Sequence, residues 1–547
     1  MAGVNTESTD STQNTTTAAQ ARSTEQAQTS TGRDTTSAPS APASTPGPTA
    51  EELASRGDSR SQRPTNDEFR DFISGNWDET VPDAARREVA DYTPARRDAL
   101  VRALPATRLV LPAGVLKVRS NDTDYPFRPD TAFAYYGGLQ ADEEPDSVLV
   151  VEPSAEDPHT ATATYFFRPR AGFDTSEFYA DSRYGEMWVG RRPTLAENAQ
   201  RLGIECRHID ELRDHLAKDV GGSLSLAVMP QVDASVEAMV AEIREQNGLP
   251  GGADAEREND RLHEVASEQR LIKDGYEIAQ MRTAVDATID GFENVVRHLP
   301  EAVAHHRGER VIEGVFARTA RADGNGVGYD TIAAAGDHAC TLHWIRNDGS
   351  VREGDLVLID AGVEVDSLYT ADVTRTLPIN GTFSPVQRRI YEAVLEAADA
   401  VFAVAKPGLK FRDLHATAME VVAGHLEEWG LLPGTAQESL APSGQWHRRW
   451  MVHGTSHHLG MDVHDCAKAR REMYLDAELR PGMVFTIEPG LYFKENDLLV
   501  PEEMRGIGVR IEDDVLVTED GVENLSARAP RTVAEVEAWM ASLTRAD

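Results

Sequence analysis

Strand-like segments that end in acidic residues are the feature of this sequence that most restricts its fold. Residues 356–362 read LVLIDAG, an apolar run that ends at Asp360 and is followed by Gly362. Residues 481–490 read PGMVFTIEPG and repeat the pattern with Glu488. A carboxylate at the end of a buried strand needs a proton or a cation to offset its charge. We therefore expect the second half of the chain to bring strand ends together around a cation.

Two further segments carry acids of the same kind. The segment ADVTRT, which contains Asp372, opens the strand that follows Asp360, and a hairpin of these two strands would place the two acids side by side. The segment GVRIEDD puts Arg510 and Glu512 two residues apart, so strand alternation directs both to one face. An arginine there would orient the carboxylates. Taken alone, each acid is also consistent with an exposed turn or a simple salt bridge.

Histidines are concentrated in residues 449–465, which read RWMVHGTSHHLGMDVHD. The stretch contains His453, His457, His458 and His464, four of the sixteen histidines of the chain. Their spacing is neither that of a zinc finger nor that of H-E-x-x-H, because Gly-Thr-Ser separates the first two. One imidazole with four carboxylates is an oxygen-rich donor set that suits Mn²⁺, and also Co²⁺ or Mg²⁺. So much negative charge favours two ions, which would activate water to hydrolyse an amide or a phosphoester.

Composition excludes several classes of function. The 547 residues carry a formal net charge of −36, which opposes binding to nucleic acid and to anionic membranes. Cys206, Cys340 and Cys466 are too few and too far apart for a disulfide framework, and they indicate reduced thiols. No apolar run is long enough to span a bilayer, and no secretory signal is recognisable. We therefore expect a cytoplasmic protein.

Composition also indicates the domain organisation. Residues 1–65 are rich in Ser, Thr, Ala and Gln with almost no large apolar side chain, which predicts a disordered tail. Residues 66–250 alternate short apolar strands with helical segments, as an α/β layer does. The run NGLPGG at 247–252 interrupts regular structure and marks a boundary. Residues 251–547 then read as a sheet covered by helices, an α+β architecture.

Helix signals in the second half are well defined. An apolar stripe at intervals of three and four residues predicts one long helix over residues 262–298. Ser384 followed by Pro385 predicts the start of a second helix, with the serine as N-cap. The glycine-rich segment 323–328 (DGNGVG) follows a helix and leads into a strand, the reverse of a phosphate-binding loop, and is interpreted as a surface turn.

The motifs together resemble one known family. Six blocks occur in the same order as in the Xaa-Pro aminopeptidases (aminopeptidase P), which are pita-bread metallopeptidases related to prolidase, methionine aminopeptidase and creatinase. The resemblance is strong over roughly residues 260–530 and weaker over about 70–250. The blocks are TLHW at 341–344, IDAG at 359–362, ADVTRT at 371–376, HGTSHHLG with DVHD within 453–465, IEPGLY at 487–492 and GIGVRIED at 506–513.

The resemblance implies a fold and an activity. The fold is α+β, with a C-terminal pita-bread (creatinase/aminopeptidase) catalytic domain over residues 251–547. A smaller creatinase-like α/β domain over 66–250 and the disordered tail 1–65 precede it. The implied activity is that of a manganese-dependent exopeptidase, which releases the N-terminal residue from peptides with proline second. Two Mn²⁺ ions would be the cofactors, with Co²⁺ or Zn²⁺ as substitutes.

The resemblance also implies residue roles. The implied metal ligands are Asp360, Asp372, His457, Glu488 and Glu512. Asp372 and Glu512 would bridge the ions together with the water nucleophile, and Glu488 would act as general base and pass the proton to the leaving proline nitrogen. The residues implied to bind the substrate or support the acids are His343, His453, His464 and Arg510. His458 is expected to pack or to support the ligands from behind, rather than to be a sixth metal ligand.

Alternatives remain at the level of the sequence. Prolidase shares every ligand and differs in accepting only Xaa-Pro dipeptides. A non-catalytic pita-bread module that binds peptides or proteins is a further alternative, although such modules typically lose ligands and all five are present here. The expected partners are peptide substrates and further copies of the chain, because relatives are commonly dimers or tetramers.

Overall fold

The computed structural model describes residues 66–78, 80, 83–121 and 123–544. All of these described residues belong to one compact unit. The predicted tail over residues 1–65 lies outside the described residues. Among the described helices, none combines the length and the apolar character that crossing a membrane requires.

A five-stranded mixed sheet organises the first part of the chain. Its order is β6-β5-β4-β1-β7, with β1 antiparallel to β4 and parallel to β7, and β2 and β3 form a separate ribbon. The apolar segments 109–111 and 148–151 lie in β1 and β4. The strands are β1 (Thr107–Pro112), β2 (Val118–Ser120), β3 (Thr123–Asp124), β4 (Val148–Pro153), β5 (Ala161–Phe167), β6 (Glu205–His208) and β7 (Ser225–Val228).

Helices cover both faces of this sheet. Because side chains alternate along β1, Leu109 and Leu111 join a core cluster that extends into the second part of the chain. Val110 joins a separate cluster on the opposite face. The helices are α1 (Asp67–Ser74), α2 (Thr93–Ala103), α3 (Thr131–Gly137), α4 (Ser176–Ala180), α5 (Glu186–Val189), α6 (Leu195–Leu202), α7 (Leu212–Ala217) and α8 (Ala234–Gln246).

Small antiparallel sheets form the centre of the second part. Their orders are β12-β10-β9, β13-β16-β17, β14-β15 and β11-β8. The strands are β8 (Gly326–Val327), β9 (Ile332–Ala335), β10 (Leu356–Ala361), β11 (Val363–Glu364), β12 (Val373–Pro378), β13 (Val484–Ile487), β14 (Gly490–Phe493), β15 (Ile507–Arg510), β16 (Asp513–Val517) and β17 (Val522–Asn524).

Long helices pack around these sheets. The helix Gly275–Ala304 packs against the helix Gly308–Asp323. The helix Pro385–Val404 packs against the helix Phe411–Glu428 in the same way, so paired helices flank the sheets. The helices are α9 (Ala253–Gln269), α10 (Gly275–Ala304), α11 (Gly308–Asp323), α12 (Pro385–Val404), α13 (Phe411–Glu428), α14 (Ala436–Leu440) and α15 (Val533–Thr544).

The single helix predicted over 262–298 is wrong, because the chain forms α9 and α10 with a break between them. Asp274 caps α10 by accepting from the Glu277 backbone, and the Glu277 side chain accepts from Asp274 in return. At the break, Lys273 N–H donates to the carbonyl of Gly482 at 2.8 Å, a partner outside any helix. Tertiary contacts therefore replace the helical hydrogen bonds at this point.

Two other local predictions can be compared with the structure. As predicted, Ser384 is the N-cap of α12 and Pro385 is the first residue of that helix. The structure adds a capping box with Gln387. The glycine segment 323–328 is more ordered than a surface turn. It contributes β8 to the sheet, and Gly328 N–H donates to the Gly362 carbonyl at 2.9 Å.

Candidate metal centre

Asp360 and Asp372 come together through a β-hairpin. Strands β10 and β12 pair antiparallel, with Asp360 opposite Thr374, two residues after Asp372. Gly362 makes the tight connection possible, because a Cβ at this position would lie 1.6 Å from the Ala371 carbonyl oxygen. The predicted hairpin is therefore present, and its glycine permits the close approach of another backbone.

Tyr329 joins these two acids. Its hydroxyl is 2.7 Å from Asp360 Oδ1 and is also hydrogen-bonded to Asp372 Oδ1. Tyr329 lies between β8 and β9, and β9 pairs with β10 so that Ile332 is opposite Asp360. The strand pairing thus carries the phenol to the carboxylates and orients both of them.

The histidine-rich stretch runs alongside β13. His457 N–H donates to Thr486 Oγ1 at 3.2 Å, and Thr486 N–H donates to the His457 carbonyl at 2.9 Å. Glu488 N–H donates to the Thr455 carbonyl at 2.9 Å. These backbone contacts place His457 and Glu488 side by side although they are far apart in the sequence.

The His457 ring points one nitrogen at the acids. Nδ1 lies 3.2 Å from the His458 carbonyl oxygen and is therefore the nitrogen that carries hydrogen in the neutral ring. Nε2 lies 3.2 Å from Asp372 Oδ2 and 3.8 Å from Glu488 Oε1. This orientation is the one that a metal-binding histidine adopts, with its second nitrogen held by a carbonyl.

Arg510, the last residue of β15, and Glu512, two residues later, form a further part of the site. Thr374 links them, because its hydroxyl donates to Glu512 Oε2 at 2.6 Å and accepts from Arg510 Nε at 3.1 Å. Arg510 also donates to Asp360 and, at 3.1 Å, to the Tyr492 hydroxyl. The predicted common face of Arg510 and Glu512 is thus directed at the acids of the hairpin.

All the residues predicted for the site line one cavity of about 490 Å³. The strand ends supply the acids at its base, and the histidine stretch supplies much of one wall. The predicted residues in its lining are His343, Asp360, Asp372, His453, His457, His464, Glu488, Arg510 and Glu512. Apolar side chains complete it: Ile332, Leu342, Ile345 and Val463.

Three acids of the cavity, Asp360, Glu488 and Glu512, hold protons more tightly than ordinary carboxyls. Burial raises the pKa of Glu488 to about 7, against the opposing charges of His457 and Arg510. Burial and the charge of Asp372 raise the pKa of Glu512 well above its usual range. The pKa of Asp360 is also raised, first by burial and then by Asp372, although Arg510 opposes the shift. Buried carboxylates that repel one another in this way favour a bound cation.

The pKa of His457 is also shifted by the negative charge of the cavity. Burial alone would lower its pKa, but the hydrogen bond to Asp372 and the charges of Glu488 and Asp372 raise it to about 9. A proton on His457 therefore supplies positive charge among the acids. Ligand atoms of Asp372, His457 and Glu512 lie within 4.8 Å of one another, which is close enough for one ion to contact all three. Their donor chemistry fits a divalent metal ion.

The other histidines surround this centre. His453 lies 3.6 Å from Glu488, and its Nε2 accepts from the Tyr492 hydroxyl at 2.7 Å. Burial lowers the pKa of His453 to about 3, so its ring is neutral near pH 7. The His464 ring stands edge-on to His457 with centroids 4.6 Å apart. His343 lines the cavity from the segment after β9.

His458 is turned away from the cavity. It is fully buried, stacks on Phe411 with centroids 4.5 Å apart and meets Tyr474 edge-on at 4.6 Å. Burial lowers its pKa to about 3. The expectation that His458 packs agrees with these contacts.

Sequence reasoning missed several residues that support the acids. Thr374 follows Asp372 by two residues, so the alternation that was used for Arg510 and Glu512 could have identified it. Asp514 continues the same alternation and accepts from the Asp372 N–H at 3.1 Å. Tyr329 lies in an irregular turn between two strands, and no periodic signal points to it.

Comparisons with known proteins agree with this geometry. Residues 279–519 match the model of metallopeptidase family M24, and residues 93–227 match that of the aminopeptidase P N-terminal domain. Xaa-Pro aminopeptidase 1 of Streptomyces coelicolor is 50% identical over 479 residues, which cover 87% of this chain and 93% of that protein.

Two solved structures are similar over most of the chain. The low-pH form of aminopeptidase P from Escherichia coli is 31% identical with a TM-score of 0.72, covering 84% of this chain and 99% of that one. A zinc-substituted form of the same enzyme in complex with product has a TM-score of 0.72 at 31% identity, covering 84% of this chain and 100% of the other. The fold is accordingly a pita-bread domain preceded by an aminopeptidase P N-terminal domain, and the chain belongs to the Xaa-Pro aminopeptidases of metallopeptidase family M24.

Proposed function

We propose that this chain is a manganese-dependent exopeptidase that hydrolyses the Xaa-Pro bond and releases the N-terminal residue of peptides with proline second. The observation that carries the proposal is the single cavity lined by all the acids, histidines and the arginine expected for this chemistry. Family membership makes the chain a metal-dependent hydrolase of peptides. The metal, the residue roles and the preferred peptide length are the parts that we propose.

We propose that two Mn²⁺ ions would be held by Asp360, Asp372, His457, Glu488 and Glu512. Support comes from the cluster of Asp372, His457 and Glu512 and from the raised pKa values of the surrounding acids. Carboxylate-rich sites suit Mn²⁺, while Co²⁺ or Zn²⁺ could substitute. When bound, such ions supply an activated water and polarise the scissile carbonyl.

Glu488 is proposed as the general base. Its carboxylate lies in the cavity beside His457, and in the metal-free chain its pKa of about 7 allows it to take up a proton near neutral pH. In the proposed reaction Glu488 takes the proton of the attacking water and delivers it to the proline nitrogen as the bond breaks. His453 lies 3.6 Å from Glu488 and stays neutral, so it adds no positive charge that would lower the pKa of Glu488.

The remaining polar residues are proposed to orient the substrate. His343 and His464 flank the acids in the cavity lining and can donate hydrogen bonds to the peptide carbonyl. Arg510 is proposed to fix Asp360 and, through Tyr492, the ring of His453. The apolar residues that line the cavity are proposed to contact the side chains on either side of the scissile bond.

Peptide length provides the decisive experiment. The purified chain with Mn²⁺ is given Xaa-Pro dipeptides and longer peptides with proline second, alongside matched peptides with alanine second. We expect release of the first residue from the longer proline peptides and none from the alanine controls. Activity confined to dipeptides would make the chain a prolidase, and an absence of turnover in all arms would leave a peptide-binding module.

We also propose the organisation around the site. A boundary near residue 250 would divide an N-terminal domain over 66–250 from the catalytic domain over 251–547. The chain is proposed to form a dimer or a tetramer, which sedimentation analysis would detect. A cytoplasmic location is proposed and is supported by the free thiols of Cys206, Cys340 and Cys466.

A further inference from the structure

One arginine of the N-terminal part reaches two separate segments of the catalytic part. Arg128 Nε donates to Glu364 Oε2 at 2.7 Å. Its NH2 group donates to the Met461 carbonyl at 2.7 Å and to Asp462 Oδ1 at 3.3 Å. These partners are 236 and more than 330 residues away in the chain, so the contacts exist only in the folded protein.

Both segments connect residues of the metal centre. Glu364 belongs to β11, which lies between Asp360 and Asp372. Met461 and Asp462 lie between His457 and His464. A displacement of either segment would be passed directly to a side chain in the cavity lining.

The contacts around Arg128 leave these segments little freedom. The Glu364 side chain is only 6% exposed and accepts a second bond from Asn325 Nδ2 at 2.7 Å. Thr131 Oγ1, also from the N-terminal part, donates to Asp462 Oδ1 at 2.6 Å. The loop that follows β11 also contacts the segment before Met461, because Thr370 N–H donates to the Gly460 carbonyl at 2.9 Å. The planar guanidinium fits this arrangement because its donors point in fixed, diverging directions.

We propose that Arg128 is a positioning residue that holds the 460–464 segment against β11 and thereby fixes His464 in the cavity. The inference rests on the proposed function, since His464 is assigned there to substrate binding. Arg128 touches neither the cavity acids nor the substrate in this scheme. It acts through the Met461 carbonyl and the Asp462 carboxylate.

Hydrogen–deuterium exchange tests the structural part without any need for activity. Arg128→Gln is compared with the full-length wild-type chain and with Arg119→Gln, the same change at an exposed position of β2. We expect faster exchange of the backbone amides over 459–465 in Arg128→Gln alone. Unchanged exchange in that segment would overturn the proposal. Arg128→Lys, which keeps the charge but not the fork, is expected to show intermediate exchange.

Kinetics test whether the effect passes through His464. With a peptide that the wild-type chain cleaves, Arg128→Gln is expected to lower kcat/KM about 10- to 100-fold at an unchanged metal content. In a His464→Ala background the same substitution is expected to cause no further loss. An equal loss in both backgrounds, or full recovery of activity on adding metal, would overturn the positioning of His464. If the wild-type chain cleaves no Xaa-Pro peptide, the proposed function fails, while the exchange comparison still tests Arg128.

Discussion

At the scale of single residues, the acids were accessible to sequence reasoning and their hydrogen-bond partners were not. Asp360 and Glu488 stand at the ends of apolar strands, so the apolar run before each acid and its charge both indicate it. Gly362 was recognised because it directly follows one of these strands. A Cβ at this position would lie 1.6 Å from the Ala371 carbonyl oxygen, which explains the need for glycine. Tyr329 carries no such mark, because a tyrosine in a turn has many ordinary explanations.

Tyr329→Phe is expected to weaken metal binding about 10- to 100-fold. The substitution keeps the ring but removes the hydroxyl that bonds both Asp360 and Asp372, so the two carboxylates lose their common orientation. Calorimetric titration of the metal-free chain with Mn²⁺ measures the change. Tyr125→Phe, which removes a hydroxyl from an exposed tyrosine, is the matched control and is expected to leave the affinity unchanged. Equal affinities for Tyr329→Phe and the wild-type chain would contradict the assignment.

Metal binding is expected to weaken as the pH falls through about 7. In the metal-free chain Glu488 has a pKa near 7, so it is increasingly protonated below that value, and a bound ion must displace the proton. The affinity should fall by up to about tenfold per pH unit for each proton displaced. Calorimetry at pH 6 and pH 8 in two buffers of different ionisation enthalpy reports both the affinity and the proton release.

The same pKa has a consequence for the stability of the metal-free chain. Because the folded-state pKa of Glu488 is raised above its unfolded value of about 4.3, the folded state binds more protons between those two values. The contribution of Glu488 to stability is therefore largest at low pH and falls as the pH rises towards 7.

In Glu488→Gln the titration of this carboxyl is absent, so the pH dependence of metal affinity should become shallower. An affinity that is the same at pH 6 and pH 8 would contradict the role given to this carboxyl.

At the scale of elements, strands and capped helices were predicted where local signals were complete. Ser384, Pro385 and Gln387 form a full capping signal, and α12 begins there. The break before α10 also has a full signal, Asp274 with Glu277, but it lies inside an apolar stripe that continues on both sides. Because the stripe continues across the break, periodicity predicts one helix where the chain forms two.

A second element-scale feature is a buried carboxylate that organises the segment carrying His343. Glu309, in the first turn of α11, is fully buried. It accepts from Ala335 N–H at 2.9 Å, Trp344 Nε1 at 2.9 Å and Gly349 N–H at 2.6 Å, and lies 2.7 Å from His338 Nδ1. The segment from the end of β9 to residue 349 thus converges on one side chain.

Glu309→Gln is expected to destabilise the chain and to reduce turnover. The amide nitrogen of glutamine would face a donor, which leaves at least one buried N–H unpaired at about 1–3 kcal/mol. Thermal unfolding gives the loss of stability, and kcat on a cleaved peptide gives the loss of activity. Glu313→Gln, the same change one turn later in α11, is the control for charge and helix position. Unaltered stability and kcat in Glu309→Gln would show that the segment does not depend on this carboxylate.

At the scale of the whole molecule, the sequence predicted two domains but not the apolar core that these two parts of the chain share. Leu100 and Phe133 of the N-terminal part belong to the same apolar cluster as Met281 and Val357 of the catalytic part. Polar contacts cross the same boundary, since the Tyr136 hydroxyl donates to Gln269 Oε1 at 2.6 Å. Such pairings join residues more than a hundred positions apart, and one sequence carries no periodic signal for them.

The shared core leads us to expect one cooperative unfolding transition for the two parts. Arg96 is the best site to test this, because its buried guanidinium bonds the Tyr135 carbonyl at 3.1 Å and pairs with Asp274 at 2.8 Å across the boundary. Arg96→Gln leaves the partly exposed acid without its partner and is expected to destabilise the chain by about 1.5–3 kcal/mol. Arg102→Gln, at an exposed position of the same helix α2, is the control.

Scanning calorimetry of the full chain distinguishes the possible outcomes. If the two parts unfold together, Arg96→Gln lowers the single Tm, while the calorimetric and van't Hoff enthalpies stay equal. If the parts were independent, the variant would separate the transition into two, and hydrolytic activity would survive the first of them. A split transition in the wild-type chain would contradict the shared core directly, because a continuous apolar cluster cannot be opened on one side without exposing the other.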